Sequence, residues 1–335
     1  MRVLITGGAG FIGSNLCKYL LDLGGYELLI VDNLSYAANI DIVDELKASR
    51  NYNFVKSDIS DLIKLEKILF DFQPESIFHL AAESHVDRSI AGPSEFIQSN
   101  IIGTYCLLEG VTNFLQSMQL QQLRDFKFIH VSTDEVYGDL GEEGTLSNEE
   151  SPYKPSSPYS ASKASSDFLV KAWMRTYRFP GIITHCTNNF GPYQHQEKLV
   201  PNSIIRLLKN EQVPIYGNGQ QIRDWLFVTD HVEALELILR EGDLYETYNI
   251  GAHNQMKNLD LIYFIISVLS TKLAINETKL KSLIQFVEDR PGHDKCYGLD
   301  CSKIKNNLGW QPKNSLHDAI QNTVDWFIEN HYSDK

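Results

Sequence analysis

The sequence predicts an α/β protein: a doubly wound parallel sheet carrying a smaller mixed α/β portion. Three observations predict it. Short apolar runs alternate with helical patterns through the first 185 residues, a glycine-rich loop follows the first run, and the chain changes texture after Asn189. Strand, helix and strand repeated in this way give right-handed crossovers and a parallel sheet.

The runs are RVLIT, ELLIVD, NFVKSD, SIFHLAA, KFIHVS and IITHCTN. Between them apolar residues recur at three-to-four spacing, as in FIGSNLCKYLLDLG and YSASKASSDFLVKAWMRTY, the period of a helix with one buried face. A helical run from Glu95 to Gln122 carries many apolar positions, and part of it is expected to face another subunit. Beyond Asn189, NFGPYQHQEKLVP and PIYGNGQQIRDW are rich in Gly, Pro, Asn and Gln, as pocket-shaping loops are. Helical patterns follow from Asp230 to Arg240 and from Asn258 to Ser270. KIKNNLGWQP ends a helix with Gly309 beyond its last turn and Pro312 shortly after. The expected division is a dinucleotide-binding domain over residues 1–188, also receiving 224–250, and a substrate-binding portion over 189–335.

The chain has 335 residues, 43% hydrophobic and 22% charged, enough for one large domain or two sharing a cleft. A net charge of −13 argues against nucleic acid or an anionic membrane surface as the main partner, while leaving room for a local basic pocket. No apolar stretch reaches the ~18 residues of a membrane span. The opening MRVLITGGAG lacks the pattern of a secretory signal. Cys17, Cys106, Cys186, Cys296 and Cys301 form no CxxC pair and read as reduced thiols, so a cytoplasmic protein is expected. The ten histidines show no metal-ligand spacing, and no metal is expected.

LITGGAGFIGSNL places Gly7, Gly10 and Gly13 directly after the first strand and at a helix start. Such glycines permit a tight turn and close approach to a pyrophosphate at the positive end of the helix, the fingerprint of a Rossmann-type domain. Asp32 closes the second strand nineteen residues after Gly13, where a carboxylate accepts from both hydroxyls of an adenosine ribose. It would repel a 2′-phosphate, and no Arg follows in DNLSY, which favours NAD over NADP. Asp58 either accepts from the adenine amino group or caps a helix.

SPYSASKAS puts Tyr159 and Lys163 four apart, on one face of a helix. A tyrosine with its ordinary pKa of about 10 needs roughly 4 kcal/mol of phenolate stabilisation to act as a base near neutrality. A lysine one turn away and a cationic nicotinamide are expected to supply it. In HVSTDEVYG the β-branched run stops at Thr133, Asp134 and Glu135, two acids where burial is expensive.

Taken together, TGGAGFIG, HLAAESHVDRSI, STDEVYG, YSASKA, NNFGPYQ and RPGHD resemble the extended short-chain dehydrogenase/reductase family over nearly the whole chain. Within it they look like the dTDP-glucose 4,6-dehydratases. Sugar-nucleotide 4-epimerases of that fold usually carry small or hydroxyl residues at the positions of Asp134 and Glu135. The resemblance implies that Tyr159 takes the proton of the glucose C4 hydroxyl while the hydride moves to NAD, and that Thr133 hydrogen-bonds the C4 oxygen. Glu135 would then remove the C5 proton and Asp134 protonate the departing C6 hydroxyl. NAD, regenerated in each turnover, would stay bound.

The resemblance also extends the cofactor contacts to Phe11, Ile12, Asn33, Leu34, Ser35, Ile59, Leu80, Ala81, Ala82 and Ser99. It assigns Arg223, Arg290 and His293 to the nucleotide diphosphate end, where forked guanidinium donors suit phosphate. Ser84, Asn188, Asn189 and Asn258 match positions that contact sugar or nucleotide. A homodimer joined by four helices, around Glu95–Leu115 and Tyr159–Tyr177, is implied as well, with dTDP-rhamnose synthesis as the frequent destination. One departure is visible: Lys295 and Cys296 follow RPGHD where relatives carry further basic residues. A UDP-glucose 4,6-dehydratase shares these catalytic residues and differs in the base. A UDP-sugar 4-epimerase or UDP-glucuronate decarboxylase would lose no water, and a non-catalytic NAD-binding scaffold would tend to lack the Tyr or Lys.

Overall fold

The structure, a computed structural model, describes residues 1–118, 125–141 and 144–331. Its centre is a seven-stranded sheet of β1 (Arg2–Thr6), β2 (Glu27–Asp32), β3 (Tyr52–Lys56), β4 (Ser76–His79), β5 (Lys127–Thr133), β6 (Gly181–Cys186) and β10 (Thr247–Ile250). The order is β10-β6-β5-β4-β1-β2-β3, and every pair is parallel. The order reverses between β1 and β4, which opens a crevice at the carboxyl ends of the strands.

Both faces of this sheet are covered. Along β1, Val3 and Ile5 enter one apolar cluster with Leu16, Leu20, Leu235 and Ile238, while Leu4 enters another with Leu65, Leu107, Phe114 and Phe128. Alternate residues of a strand point to opposite faces, so unbroken apolar runs such as RVLI mean a strand buried on both sides. Each fully buried Leu, Ile or Phe stabilises by about 1.5–3 kcal/mol.

The second half forms a smaller lobe and also returns to the sheet. Strand β7 (Asn188–Phe190) pairs with β9 (Ile222–Phe227), and β9 pairs with β11 (Gln255–Lys257). Strand β8 (Val213–Tyr216) pairs with β12 (Ile284–Val287). Helices Leu199–Leu208, Asn258–Leu273 and Leu316–His331 enclose a third core of Val200, Ile204, Leu261, Ile265, Ile320 and Phe327. The helix Val228–Glu241 packs instead on Phe11–Leu23, and β10 becomes the sheet's edge beside β6.

Three of the apolar runs leave the sheet earlier than their composition suggests. Ser57 and Asp58, Leu80 to Ala82, and Thr187 lie past the strand ends and turn toward the crevice. The run expected to be helical from Glu95 to Gln122 is Ser94–Phe96, a π-helical stretch Ile97–Gly103, and an α-helix Thr104–Gln116; residues 119–124 lie outside the described residues. In the wide turn, buried Asn100 accepts from the Glu83 N–H at 2.8 Å and donates to the Glu83 carbonyl at 3.0 Å and to Ser162 Oγ at 2.8 Å. The π turn thus ties a crevice loop to the helix that carries Tyr159. Among the described residues no helix is long and apolar enough to cross a membrane, and no cluster of His, Cys, Asp and Glu could hold a metal ion.

Candidate active site

The crevice is a cleft of about 670 Å³ between the two lobes. At one end lies the glycine loop. Gly7 sits at φ +73°, and a Cβ there would meet the Ala81 nitrogen at 2.5 Å; at Gly13 it would meet the Gly7 carbonyl oxygen at 2.2 Å. Those two glycines close the loop on itself. Gly10 meets nothing nearer than that same oxygen at 3.3 Å, so a cradle remains at the start of the helix Phe11–Leu23. Asp32 accepts from the Ala9 N–H at 3.0 Å and the Leu34 N–H at 2.8 Å; burial raises its carboxyl, against those two bonds. Asp58 is exposed on the cleft wall, and against the rise from desolvation the Ser60 N–H and the Asn33 amide hold its carboxyl below the usual range. The helix Leu62–Phe72 that follows is capped by Asp61, not Asp58, which leaves Asp58 on the cleft wall. Cradle, held carboxylate and second acid fit a dinucleotide with a free 2′-hydroxyl.

Of the residues expected at the cofactor, all but Leu34 line this cleft: Gly7, Gly10, Phe11, Ile12, Gly13, Asp32, Asn33, Ser35, Asp58, Ile59, Leu80, Ala81, Ala82, Ser99, Tyr159 and Lys163. Leu34 lies just beside them. It adopts φ +59° and uses its N–H to hold Asp32, so it supports the pocket from behind.

The chemistry stands where β5 ends. Thr133 caps the single 3₁₀ turn Asp134–Val136: its Oγ1 accepts from the Glu135 N–H at 3.3 Å and donates to Asp134 Oδ1 at 3.2 Å. Asp134 is 3% exposed, and its Oδ2 has no partner in the protein. Burial, then the neighbouring Glu135 charge, push the Asp134 carboxyl well up. Glu135 is raised by burial too, but Lys198, Arg223 and Arg290 pull it the other way. Both carboxyls are thus raised, but Glu135 faces three cations that oppose the rise and Asp134 only Arg223, which makes Asp134 the better placed of the two to hold a proton.

Tyr159 enters the same cleft from the second position of the helix Pro158–Tyr177. Ser157 caps that helix with a reciprocal Ser160 bond, and Pro158 presets its first turn. The Tyr159 N–H donates to Ser89 Oγ at 3.2 Å. One turn on, Lys163 donates from Nζ to the Val131 carbonyl at 2.9 Å and is 5% exposed. Burial, followed by Glu135, pushes the Tyr159 phenol well up, against a lowering hydrogen bond with Thr133. Lys163 spends one ammonium donor on the backbone of β5 and stands one helical turn from Tyr159, where its positive charge favours the phenolate.

Across the cleft, Ser84, Asn188, Asn189, Arg223, Asn258, Arg290 and His293 all line the wall. Arg223 donates to the Asp294 carbonyl at 2.9 Å and lies over the Tyr297 ring at 4.3 Å, which fixes its plane. Arg290 stacks over Tyr216 at 5.1 Å from the ring centre, and His293 is held by Asp289 at 2.6 Å.

Among the cleft residues that escaped the sequence reading are Lys198, Tyr216 and Asp294. Lys198 donates to the Ser84 carbonyl at 2.8 Å, with Glu135 opposing the fall that burial imposes on its ammonium. Tyr216 donates to Asp87 Oδ2 at 3.2 Å. Asp294 accepts from Ser156 and Tyr297. The only signal for Lys198 is a lone lysine in a polar loop.

The sequence matches the family described as GDP-mannose 4,6 dehydratase over residues 4–323. It is 46% identical to a dTDP-glucose 4,6-dehydratase of Salmonella typhimurium, over 98% of this chain and 93% of that one. With the dTDP-glucose 4,6-dehydratase of Haemophilus influenzae it shares 48% identity, over 98% of both. The structure superposes on a crystal structure of a dTDP-glucose 4,6-dehydratase from Streptomyces venezuelae with NAD bound, with a TM-score of 0.89, 39% identity, and 99% and 98% of the two chains covered. A UDP-glucose 4-epimerase from Thermotoga maritima is similar too, at a TM-score of 0.85 and 30% identity, covering 98% and 99%. The chain belongs to the nucleotide-sugar 4,6-dehydratase family of the extended short-chain dehydrogenases/reductases.

Proposed function

We propose that this protein is an NAD-dependent hydro-lyase that converts dTDP-glucose to dTDP-4-keto-6-deoxyglucose. One observation carries the reading: Asp134 and Glu135 stand adjacent at the end of β5 and line the cleft beside Tyr159, Asp134 with an unpartnered buried Oδ2 and Glu135 in the field of Lys198, Arg223 and Arg290. The fold alone does not choose, because the Thermotoga epimerase shares it. An epimerase only oxidises and reduces C4, whereas an elimination needs an acid and a base together.

When bound, NAD supplies an acceptor for the C4 hydride and later returns that hydride to C6. Tyr159 takes the proton of the C4 hydroxyl, and Thr133 hydrogen-bonds its oxygen. The new ketone acidifies C5–H. Glu135 removes that proton while Asp134 gives its own to the departing C6 hydroxyl, and water leaves. C5 is reprotonated as C6 is reduced. Lys163 holds positive charge beside Tyr159, Lys198 biases Glu135 toward the carboxylate, and Arg223, Arg290 and His293 receive the diphosphate. Ser84, Asn188, Asn189 and Asn258 orient sugar and nucleotide.

In this reading residues 1–188 with 224–250 hold the cofactor and 189–335 hold the nucleotide sugar. The active species is a homodimer: Ile97, Ile102, Tyr105, Phe168 and Tyr177 are each more than 36% exposed on the two helical runs, an apolar face suited to a second copy. Five unpaired cysteines fit a cytoplasmic, reducing setting.

The test is purified protein incubated separately with dTDP-glucose and UDP-glucose, the products weighed by mass spectrometry. Loss of one water from dTDP-glucose is expected. Loss from UDP-glucose alone would overturn the base, and an unchanged mass for both, with NAD supplied, would overturn the dehydratase.

A further inference from the structure

Behind the reacting groups lies a polar cluster that the chemistry above leaves unused. Asp167 is fully buried on the helix that carries Tyr159 and Lys163, at the next four-residue step. Its carboxylate gathers four partners from three other segments. His130 Nε2 on β5 is 3.0 Å from Oδ1; Ser132 Oγ on β5 donates to Oδ2 at 3.0 Å. His185 Nε2 on β6 and the Tyr153 hydroxyl each stand 3.0 Å from Oδ2. His185 is fixed from its other side by the Tyr137 hydroxyl at 3.0 Å, and Lys171 donates to the Tyr153 hydroxyl at 3.1 Å.

A carboxylate this deep costs several kcal/mol to desolvate, and its bonds and an opposite charge must offset that. The structure assigns Asp167 as the buried counter-charge of Lys163, a positioning residue that keeps the lysine protonated and therefore keeps Tyr159 beside a cation. This rests on the dehydratase reading for its catalytic meaning, but the charge pairing itself does not.

The surroundings leave Asp167 alone in that role. Groups facing Lys163 from the sheet are Cys186 on β6, pushed by burial up to about 12 and so a neutral thiol, and His130 on β5, pushed by burial down to about 4. His79 on β4 is lowered by burial as well. On its own helix stand Tyr159, whose phenol burial and Glu135 push well up, and Asp167. Burial pulls the Lys163 ammonium down, and Asp167 is the first charge that opposes it. Burial would raise Asp167, yet the bonds from His130 and His185 hold it far below the usual carboxylate range.

The experiment compares wild type, Asp167→Asn, Asp167→Glu and Ser132→Ala. Asn keeps the size and loses the charge; Glu keeps the charge; S132A removes one hydrogen bond and leaves the charge in place. In D167N the alkaline limb of kcat/KM is expected to move to lower pH by about one unit or more, with D167E and S132A close to wild type. A second readout needs no turnover. With its pKa lowered further below the unfolded value, Lys163 in D167N binds fewer protons folded than unfolded, so stability rises with pH. The Tm deficit of D167N against wild type is therefore expected to narrow between about pH 7 and 9.5. A deficit constant with pH, together with an unmoved limb, would show Asp167 to be a structural acid only. An alkaline limb that moves as far in S132A or D167E would equally overturn the proposal, and both remain informative should D167N not fold. Wild type that releases no water would sink the dehydratase reading, while the Tm comparison would still decide the pairing.

Discussion

Thr133 Oγ1 donates to Asp134 Oδ1 at 3.2 Å while accepting the Glu135 N–H at 3.3 Å, so one hydroxyl sets the orientation of both acids. The bond pins one Asp134 oxygen and leaves Oδ2 without a protein partner, which suits a carboxylic acid poised to give up its proton to a ligand. The consequences of that arrangement can be measured.

Glu135→Gln removes the base and leaves the oxidising half intact. Turnover is expected to fall by about 10²–10⁴-fold. Oxidation at C4 should survive, so absorbance of the reduced cofactor should accumulate on adding dTDP-glucose. Full loss of that signal along with turnover would mean that Glu135 acts before elimination.

Asp134→Asn should abolish water loss and stabilise the protein. A carboxyl raised in the folded state binds more protons folded than unfolded, so its stabilising share is present at low pH and is lost as pH rises. Replacing it removes that loss. The Tm of D134N is expected to exceed that of wild type at pH 8 by the equivalent of about 1–2 kcal/mol, with a smaller gap near pH 5. A gap that widens on acidification would contradict a protonated Asp134.

The glycine loop gives a contrast between two single methyl groups. At Gly13 a Cβ strikes backbone at 2.2 Å, so Gly13→Ala should lower Tm sharply or prevent folding. At Gly10 the nearest atom is the Gly7 carbonyl oxygen at 3.3 Å, a contact relieved by a small shift, so Gly10→Ala should fold with a much smaller loss of Tm than Gly13→Ala. Its methyl group then occupies the cradle, and the protein should purify with much less NAD. Equal cofactor content in G10A and wild type would place the pyrophosphate elsewhere.

Phe168 is 57% exposed at the centre of the helical apolar face. Phe168→Glu should convert the proposed dimer to a monomer by light scattering, because a carboxylate cannot be desolvated there without a partner. A wild-type chain that is monomeric at micromolar concentration would sink the dimer.

What the sequence reveals and what it hides divide by range. The six apolar runs, the glycine loop, the Thr133–Glu135 stretch and the Tyr159–Lys163 spacing each depend on neighbours within about one helical turn or one strand, where periodicity and turn chemistry act directly. Lys198 meets Ser84 across 114 positions of chain, and Asp167 meets His130 and His185 across 37 and 18. No local pattern encodes such contacts; they follow from strand order. Tyr159 marks the same boundary within the site. Its position is legible, but the direction of its pKa depends on how deeply it is buried and on Glu135, which only the folded cleft brings close. Leu34 marks it again: its positive φ and the bond from its N–H to Asp32 follow from the folded turn and not from any pattern in DNLSY.

The most direct test of the central claim is to run the wild-type reaction on dTDP-glucose in D₂O and weigh the early product by mass spectrometry and NMR. If Glu135 removes the C5 proton and C5 is reprotonated from exchangeable groups, the product carries deuterium at C5 and has lost one water. A dehydrated product that forms at the normal rate with no deuterium at C5 would contradict the acid–base roles of Asp134 and Glu135.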